Sequence, residues 1–210
     1  MTLVAEKVKG AVGGVVVTPS SQGLAAFKRP DCAAAIWHRR PRPEFQAWID
    51  GLQPENLPNG RVILHRSAFR AALTELCDIA KTPPCREREQ LINDATTQAA
   101  VFADLMETQY LRLRLQAVTT NACRKFHIDA VTARLVCTYR GIGTQYGVSN
   151  DRSDPERIFT VPTGAPVLLR GTLWPATPAR GLRHRSPPIE GTGETRLVLV
   201  IDPITDPEDA

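Results

Sequence analysis

Apolar positions in the first half of the chain recur at intervals of three and four residues, the spacing of a helix with one buried face. On this pattern we predict helices at residues 33–38, 43–52, 67–79 and 86–107. A proline begins the second of these segments, where it suits the first helical turn. We therefore expect a mainly helical N-terminal half.

The period changes to two after residue 107. Leu111, Leu113 and Leu115 alternate with Arg112 and Arg114, which is typical of a strand with one buried face and one polar face. Further short strands are predicted at residues 133–140, 157–161, 165–170 and 195–201. Short strands in series, without helices between them, indicate an antiparallel barrel or sandwich.

Together these patterns predict an α+β fold that forms a single domain over residues 1–210. An N-terminal arm and a helical wrap occupy residues 1–108, a β-barrel core occupies residues 109–204, and an acidic tail follows at residues 205–210. The apolar stretch at residues 11–17 is short and interrupted by glycine. We interpret it as part of an arm or strand rather than as a signal peptide.

Composition narrows the class of protein. Apolar residues make up 42% of the chain and charged residues 23%, and no apolar run approaches the roughly 20 residues of a membrane span. The formal charge of +4 is scattered rather than concentrated in a basic block, which argues against nucleic-acid binding. The five cysteines are widely spaced and form no CxxC pair, so we expect reduced thiols in a cytoplasmic protein.

His127 and Asp129 are the first candidates for chemistry. Alternate side chains of an extended segment point the same way, so these two can present an imidazole nitrogen and a carboxylate oxygen to one ion. His184, on a predicted loop between two later strands, supplies a second imidazole. Two histidines and a carboxylate on one face of a metal form the facial triad of non-haem iron(II) oxygenases. We predict that these three residues are metal ligands and form the catalytic centre.

Arg196 begins the apolar segment 197–201. A guanidinium that projects from such a strand into a barrel is costly to bury unless it meets an anion, and its planar fork fits a carboxylate. A dicarboxylate cosubstrate would satisfy it. The alternative is an arginine at the barrel end that pairs with Glu190 or Glu194.

These residues resemble a known family, the iron(II)- and 2-oxoglutarate-dependent dioxygenases. Their cupin-like double-stranded β-helix, or jelly-roll barrel, carries HxD, a distal histidine and an arginine about a dozen residues beyond it. The resemblance spans residues 111–202. It implies that His127, Asp129 and His184 bind Fe(II), and that Arg196 holds the distal carboxylate of 2-oxoglutarate.

The chain departs from this family at one position. Many members have a serine two residues after the arginine, and this chain has Val198 there. Thr138 and Tyr139, on the strand that follows HxD, are the candidates to supply a hydroxyl to the cosubstrate instead.

Several longer segments are similar to a bacterial family catalogued as domain of unknown function 1826. They comprise residues 35–37, 112–115, 123–129, 137–141 and 184–191. Members of that family occur near genes of zinc homeostasis. The resemblance therefore keeps open a second function for the same His/Asp/His site, that of a non-catalytic zinc-binding or zinc-homeostasis protein.

Other interpretations remain open at this point. Cys123 and Cys137 bracket the HxD segment, and a thiolate on the ion would favour a closed zinc site. His127 and Asp129 could instead form an inert hydrogen bond at a barrel corner, without metal. An anionic substrate or a solvated strand face would both account for a set of strand arginines, namely Arg112, Arg114, Arg134 and Arg140.

The favoured prediction is a metal-dependent oxygenase of the Fe(II)/2-oxoglutarate type, which hydroxylates a small molecule or a protein. The sequence indicates neither the identity of that substrate nor the oligomeric state.

Overall fold

Two β-sheets and a layer of helices form the computed structural model, which describes residues 14–149, 153–175 and 181–206. The strands are β1 (Val15–Thr18), β2 (Ala34–Trp37), β3 (Gly60–His65), β4 (Tyr110–Val118), β5 (Ala133–Arg140), β6 (Gln145–Val148), β7 (Phe159–Thr160), β8 (Pro166–Arg170), β9 (Leu182–Arg185) and β10 (Arg196–Ile204). The α-helices are α1 (Pro43–Gly51), α2 (Phe69–Ile79) and α3 (Arg86–Met106), and short 3-10 helices join several of the elements. This is the mixed fold of helices and sheets that the sequence predicts.

The larger sheet contains seven strands in the order β1–β2–β8–β5–β10–β4–β3. Neighbouring strands are antiparallel except β1 and β2, which run parallel. The smaller sheet has the order β7–β6–β9 and is antiparallel. Because β1, β2 and β3 belong to the N-terminal half, the strands are not confined to the C-terminal half as predicted.

The prediction of a helix at residues 33–38 was wrong, since β2 lies there. Ala34 and Ile36 point to one side of the sheet and Ala35 to the other, and all three are buried. In a short apolar run that is buried on both faces, no polar residues alternate with apolar ones, so the sequence pattern does not distinguish a strand from a helix. The other three predicted helices are confirmed as α1, α2 and α3.

Both faces of the larger sheet are covered. On one face, alternate residues of its central strands pack with α2 and α3 in the main core; they include Leu111, Leu113 and Leu115, Leu135 and Cys137, and Leu197, Leu199 and Ile201. On the other face, Val136, Val198 and Val200 pack with Tyr146 and Leu182 of the smaller sheet. The continuous apolar run of β10 is the pattern expected of a strand that is buried on both sides. A cavity opens between the two sheets.

The predicted N-terminal arm and acidic tail lie mostly outside the described residues. Only β1 and the residues beside it represent the arm, and only residues 205–206 represent the tail. In the part of the chain that is described, no helix has both the length and the apolar character needed to cross a bilayer.

Candidate metal centre and its cavity

His127, Asp129 and His184 meet between the two sheets. Each contributes one ligand atom, and these three atoms lie within 4.8 Å of one another. Asp129 Oδ2 lies 2.9 Å from His184 Nε2, and Asp129 Oδ1 lies 3.5 Å from His127 Nε2. Within the described ranges, no other group of three histidine, cysteine or acidic side chains converges in this way. The structure thus brings together the three residues predicted from the sequence.

The main chain sets the spacing of the two histidines. His184 lies in β9, opposite Tyr146 of β6, and not on a loop as predicted. His127 lies in the irregular connection between β4 and β5, and it forms an isolated antiparallel bridge with His184. Each backbone N–H of this pair donates to the carbonyl of the other over 3.0 Å, and the two ring centroids are 4.6 Å apart.

Asp129 is held by the end of β8. The Thr172 N–H donates to the Asp129 carbonyl over 2.9 Å, and the Gly171 N–H donates to the Thr132 carbonyl over 3.0 Å. A Cβ on Gly171 would lie only 1.8 Å from the Val131 carbonyl oxygen. Only glycine at position 171 lets the end of β8 lie this close to residues 129–132, and this close approach places Asp129 at the site.

Arg134 of β5 links the Asp129 carboxylate to a second one. Its Nη1 lies 2.5 Å from Asp129 Oδ1, and its Nε and Nη2 donate to the two oxygens of Asp202 over 2.7 and 2.9 Å. The sequence predicted only that Arg134 could bind an anion, and it did not identify Asp202. An aspartate inside the apolar run of β10 was the signal available, but its partner becomes evident only from the pairing of β5 with β10.

The donor atoms are arranged as metal ligands would be. Asp129 Oδ2 is buried and has no hydrogen-bond partner of acceptable geometry, although His184 Nε2 is only 2.9 Å away. The three candidate donor atoms are close enough together to share one ion. His127 Nδ1 lies 2.8 Å from the Lys125 carbonyl, which can only accept, so Nδ1 carries the proton and Nε2 is left to ligate. The residues therefore fit a divalent metal ion.

Charge states also suit this role. Burial lowers the pKa of His184, against the opposing effect of Asp129, and so favours the neutral imidazole that binds metals. Burial alone would raise the pKa of Asp129, but the nearby imidazoles of His127 and His184 and the Arg134 charge hold it well below its ordinary value. The nearby Asp129 carboxylate raises the pKa of His127. The carboxylate is thus anionic at neutral pH.

Arg196 lies in the cavity beside this centre, with 1% of its surface exposed. Its Nε donates to the Ile142 carbonyl over 2.7 Å, and its Nη2 lies 3.3 Å from Thr138 Oγ1. It forms no salt bridge with any described acidic residue. Glu194 instead accepts from the Ile142 N–H and Glu190 from Asn121, so the alternative pairing considered from the sequence does not occur. Burial lowers the pKa of Arg196 to about 10.

Other predicted residues lie elsewhere. Tyr139 faces the helical side of the larger sheet, where its hydroxyl lies 2.8 Å from both Asp94 Oδ2 and Gln98 Nε2, so it cannot supply a hydroxyl to the cavity. Its neighbour Thr138 lies on the opposite face of the sheet, beside Arg196. Cys137 is buried in the main core, and the exposed Cys123 lines the cavity without joining the ligand cluster.

The cavity contains about 560 Å³ of empty space, part of it open to solvent. Both sheets and the β4–β5 connection contribute to its wall. The lining residues include His127, Arg134, Thr144, His184 and Arg196, together with Val136, Val198 and Val200. Thr144, a buried hydroxyl residue in this wall, was not singled out from the sequence.

Comparison with known proteins places the chain in a family. The family model described as "Protein of unknown function (DUF1826)" matches residues 18–202, which is most of the chain. The chain belongs to the DUF1826 family. This confirms the resemblance found in the sequence. No curated protein matches the DUF1826 chain.

Solved structures share its fold. The dioxygenase for auxin oxidation (DAO) in rice is 14% identical, with a TM-score of 0.50 over 93% of this chain and 84% of that chain. AtDAO1 from Arabidopsis thaliana, solved as a complex with 2-oxoglutarate, is 12% identical, with a TM-score of 0.52 over 94% of each chain. At these identities the likeness shows that the DUF1826 chain has the same fold as these dioxygenases.

Proposed function

We propose that the chain is an iron(II)- and 2-oxoglutarate-dependent oxygenase whose two facing sheets form a double-stranded β-helix. The observation that carries this proposal is that an arginine without an acidic partner, Arg196, lines the same cavity as His127 and His184, which form the candidate ligand set with Asp129. A metal centre alone would need no buried cation beside it, because a cation there is costly without an anion. The shared fold with dioxygenases, one of them solved with 2-oxoglutarate, supports the proposal.

Each residue has a distinct role in this proposal. His127, Asp129 and His184 would hold the ion, and the cavity beside them would admit small molecules to it. Arg134 orients the Asp129 carboxylate so that Oδ2 faces the ion. Arg196 would hold the distal carboxylate of the cosubstrate. The hydroxyl that Val198 lacks would come instead from Thr138, whose Oγ1 lies beside the Arg196 guanidinium.

The bound iron and 2-oxoglutarate would supply the activation of dioxygen for hydroxylation of a substrate. The protein supplies geometry, charge and restricted access of water. The ligand set of two imidazoles and one carboxylate, with no cysteine thiol in the cluster, suits iron(II).

Anaerobic titration tests the proposal. Metal-free protein is titrated with iron(II) and then with 2-oxoglutarate, and the visible charge-transfer absorption of a keto acid chelated to iron is recorded. We expect the band in the native protein and a weaker band, at higher 2-oxoglutarate concentration, in Arg196→Ala. The matched control is Arg140→Ala, because Arg140 donates to the Leu52 carbonyl on the opposite side of the sheet.

The outcomes separate the two functions. A band that depends on Arg196 but not on Arg140 supports the oxygenase. Tight zinc binding by the same ligands, with no band after addition of iron and 2-oxoglutarate, would overturn it in favour of a zinc-binding protein.

A further inference from the structure

The cavity wall is rich in cations. Four arginines line it, namely Arg114, Arg134, Arg185 and Arg196, and no aspartate or glutamate is among the described lining residues. Cavities lined by charges of one sign raise the local concentration of the opposite ion. The positive charge of the wall therefore favours the binding of anions even without a metal ion or a cosubstrate.

Three of these arginines have partners. Arg134 is held by Asp129 and Asp202. Arg196 donates to Ile142, and Arg185 donates to Gln145 Oε1 over 2.8 Å and lies 4.5 Å from the centre of the Phe126 ring. Arg114, by contrast, makes no hydrogen bond or salt bridge with any described residue.

Arg114 is nevertheless partly buried and lies beside other cations. Burial lowers its pKa, and the charges of Arg134 and Arg61 act in the same direction, whereas the carboxylates of Asp202 and Asp129 oppose them. Arg61 of β3 is the direct neighbour of Arg114 in the sheet register. Like charges side by side in neighbouring strands are unfavourable, and both nearby carboxylates are already paired with Arg134, so a half-buried arginine in this position would be stabilised by an anion that enters the cavity.

Strand pairing separates this position from the site proposed for the cosubstrate. Arg114 is opposite Val200, and Arg196 is opposite Val118, on the same face of β4 and β10. Four residues along a strand correspond to about 13 Å. Arg114 therefore marks a second anion position in the same cavity, closer to Arg134 than to the Arg196 end.

We propose that Arg114 binds an anionic group, a carboxylate or a phosphate, on the small molecule that occupies the cavity together with the cosubstrate. The inference rests on the proposed function in calling this molecule the substrate, whereas the anion site itself rests on the cavity. The cavity is partly open to solvent, so a small molecule can enter it. The planar fork of arginine fits either anion in a bidentate arrangement.

Calorimetric titration of three probes tests the site. Benzoate and phenyl phosphate carry the two anions, and benzamide is the neutral counterpart of benzoate. The proteins are the native chain, Arg114→Gln and the matched control Arg61→Gln, which removes the same charge from the exposed neighbouring position. Each is titrated first without metal, and then anaerobically with iron(II) and saturating 2-oxoglutarate, so that Arg196 is occupied.

We expect at least one anionic probe to bind the native protein in both states, more tightly than benzamide binds. Arg114→Gln should weaken its binding about tenfold or more, the usual cost of a lost charge-assisted hydrogen bond, whereas Arg61→Gln should not. Arg114→Lys keeps the charge and should recover part of the affinity. The better of the two anions indicates whether the substrate carries a carboxylate or a phosphate.

Two results would overturn the inference: neither anion binds the native protein, or Arg114→Gln and Arg61→Gln weaken binding equally. Thermal unfolding of each variant shows that it is folded, and Arg114→Lys serves as the test if Arg114→Gln is not. Failure of the proposed function has a different signature. Iron and 2-oxoglutarate would then give no absorption band, while benzoate or phenyl phosphate would still bind the metal-free protein through Arg114.

Discussion

Arg134 Nη1 lies 2.5 Å from Asp129 Oδ1, so a guanidinium pairs with one oxygen of this carboxylate and leaves the other beside His184 Nε2. The same guanidinium makes two hydrogen bonds with Asp202. Arg134 is thus held in place by Asp202, and it in turn restricts the rotation of the Asp129 carboxylate. The orientation of the ligand set therefore depends on a residue that does not touch the ion.

Replacement of Arg134 by lysine tests this dependence. Lysine keeps the charge but cannot hold both carboxylates in its place, so we expect Arg134→Lys to weaken metal binding by about 10- to 100-fold, as for other outer partners of metal ligands. Competition with a chromophoric chelator measures the affinity. Arg140→Lys, on the same strand but the opposite face, is the control and should bind metal as the native protein does. Equal affinities in the two variants would show that Arg134 does not position Asp129.

Gly171 is predicted to be essential for placing Asp129. Gly171→Ala would put a methyl group 1.8 Å from the Val131 carbonyl oxygen, so the two backbones must separate. We expect the free energy of unfolding to fall by about 1–3 kcal/mol, and metal affinity to fall with it. Gly51→Ala is the control, because nothing lies within 4 Å of the added atom. Denaturant unfolding and chelator competition give the two quantities, and a Gly171→Ala protein with native metal affinity would contradict the prediction.

Two neighbouring hydroxyl residues should behave in opposite ways. Thr138→Val removes the oxygen 3.3 Å from Arg196 Nη2, so we expect weaker 2-oxoglutarate binding with little change in stability. Tyr139→Phe removes the buried hydroxyl that donates to Asp94 and accepts from Gln98, so the free energy of unfolding should fall by about 1–3 kcal/mol while 2-oxoglutarate affinity is retained. Titration of the iron-loaded variants and denaturant unfolding separate the two effects. The assignment fails if Tyr139→Phe is the variant that loses cosubstrate affinity.

The cysteines should differ in reactivity. Burial raises the pKa of Cys137 to about 12 and of Cys32 to about 11, so both thiols stay protonated at neutral pH and far above it. We expect a disulfide reagent at pH 8 to label the exposed Cys123 promptly and these two only after unfolding. Cys123→Ser should leave metal affinity unchanged, because its thiol lies outside the ligand cluster. A large loss of zinc affinity in Cys123→Ser would instead favour a zinc–thiolate site.

Long periodic segments were predictable from the sequence. The helices α1, α2 and α3 have one buried stripe each, and β4 alternates leucine with arginine, so a single period describes each of them. The short strands were harder. β9 consists of four residues and includes three charged or ionisable side chains, so its alternation of buried and partly exposed positions is too brief to distinguish it from a loop.

The convergence of His127, Asp129 and His184 could be predicted because the candidate chemistry is carried by residue type and order. The positioning contacts could not, because they depend on register. Arg134 and Asp202 are 68 positions apart and meet only when β5 pairs with β10. The same applies to Thr138 and Tyr139, since a shift of one residue along a strand exchanges the cavity face for the helical face.

The backbone bridge between His127 and His184 has a consequence for how an ion would be captured. Two of the three ligands are joined by reciprocal main-chain hydrogen bonds, so their separation is established when the chain folds and not when the ion arrives. The entropic cost of ordering these ligands is then part of the folding free energy and does not reduce the affinity for the ion. Such a preorganised centre would bind the ion without rearrangement of the backbone, and the bound ion would in turn fasten the smaller sheet to the larger one.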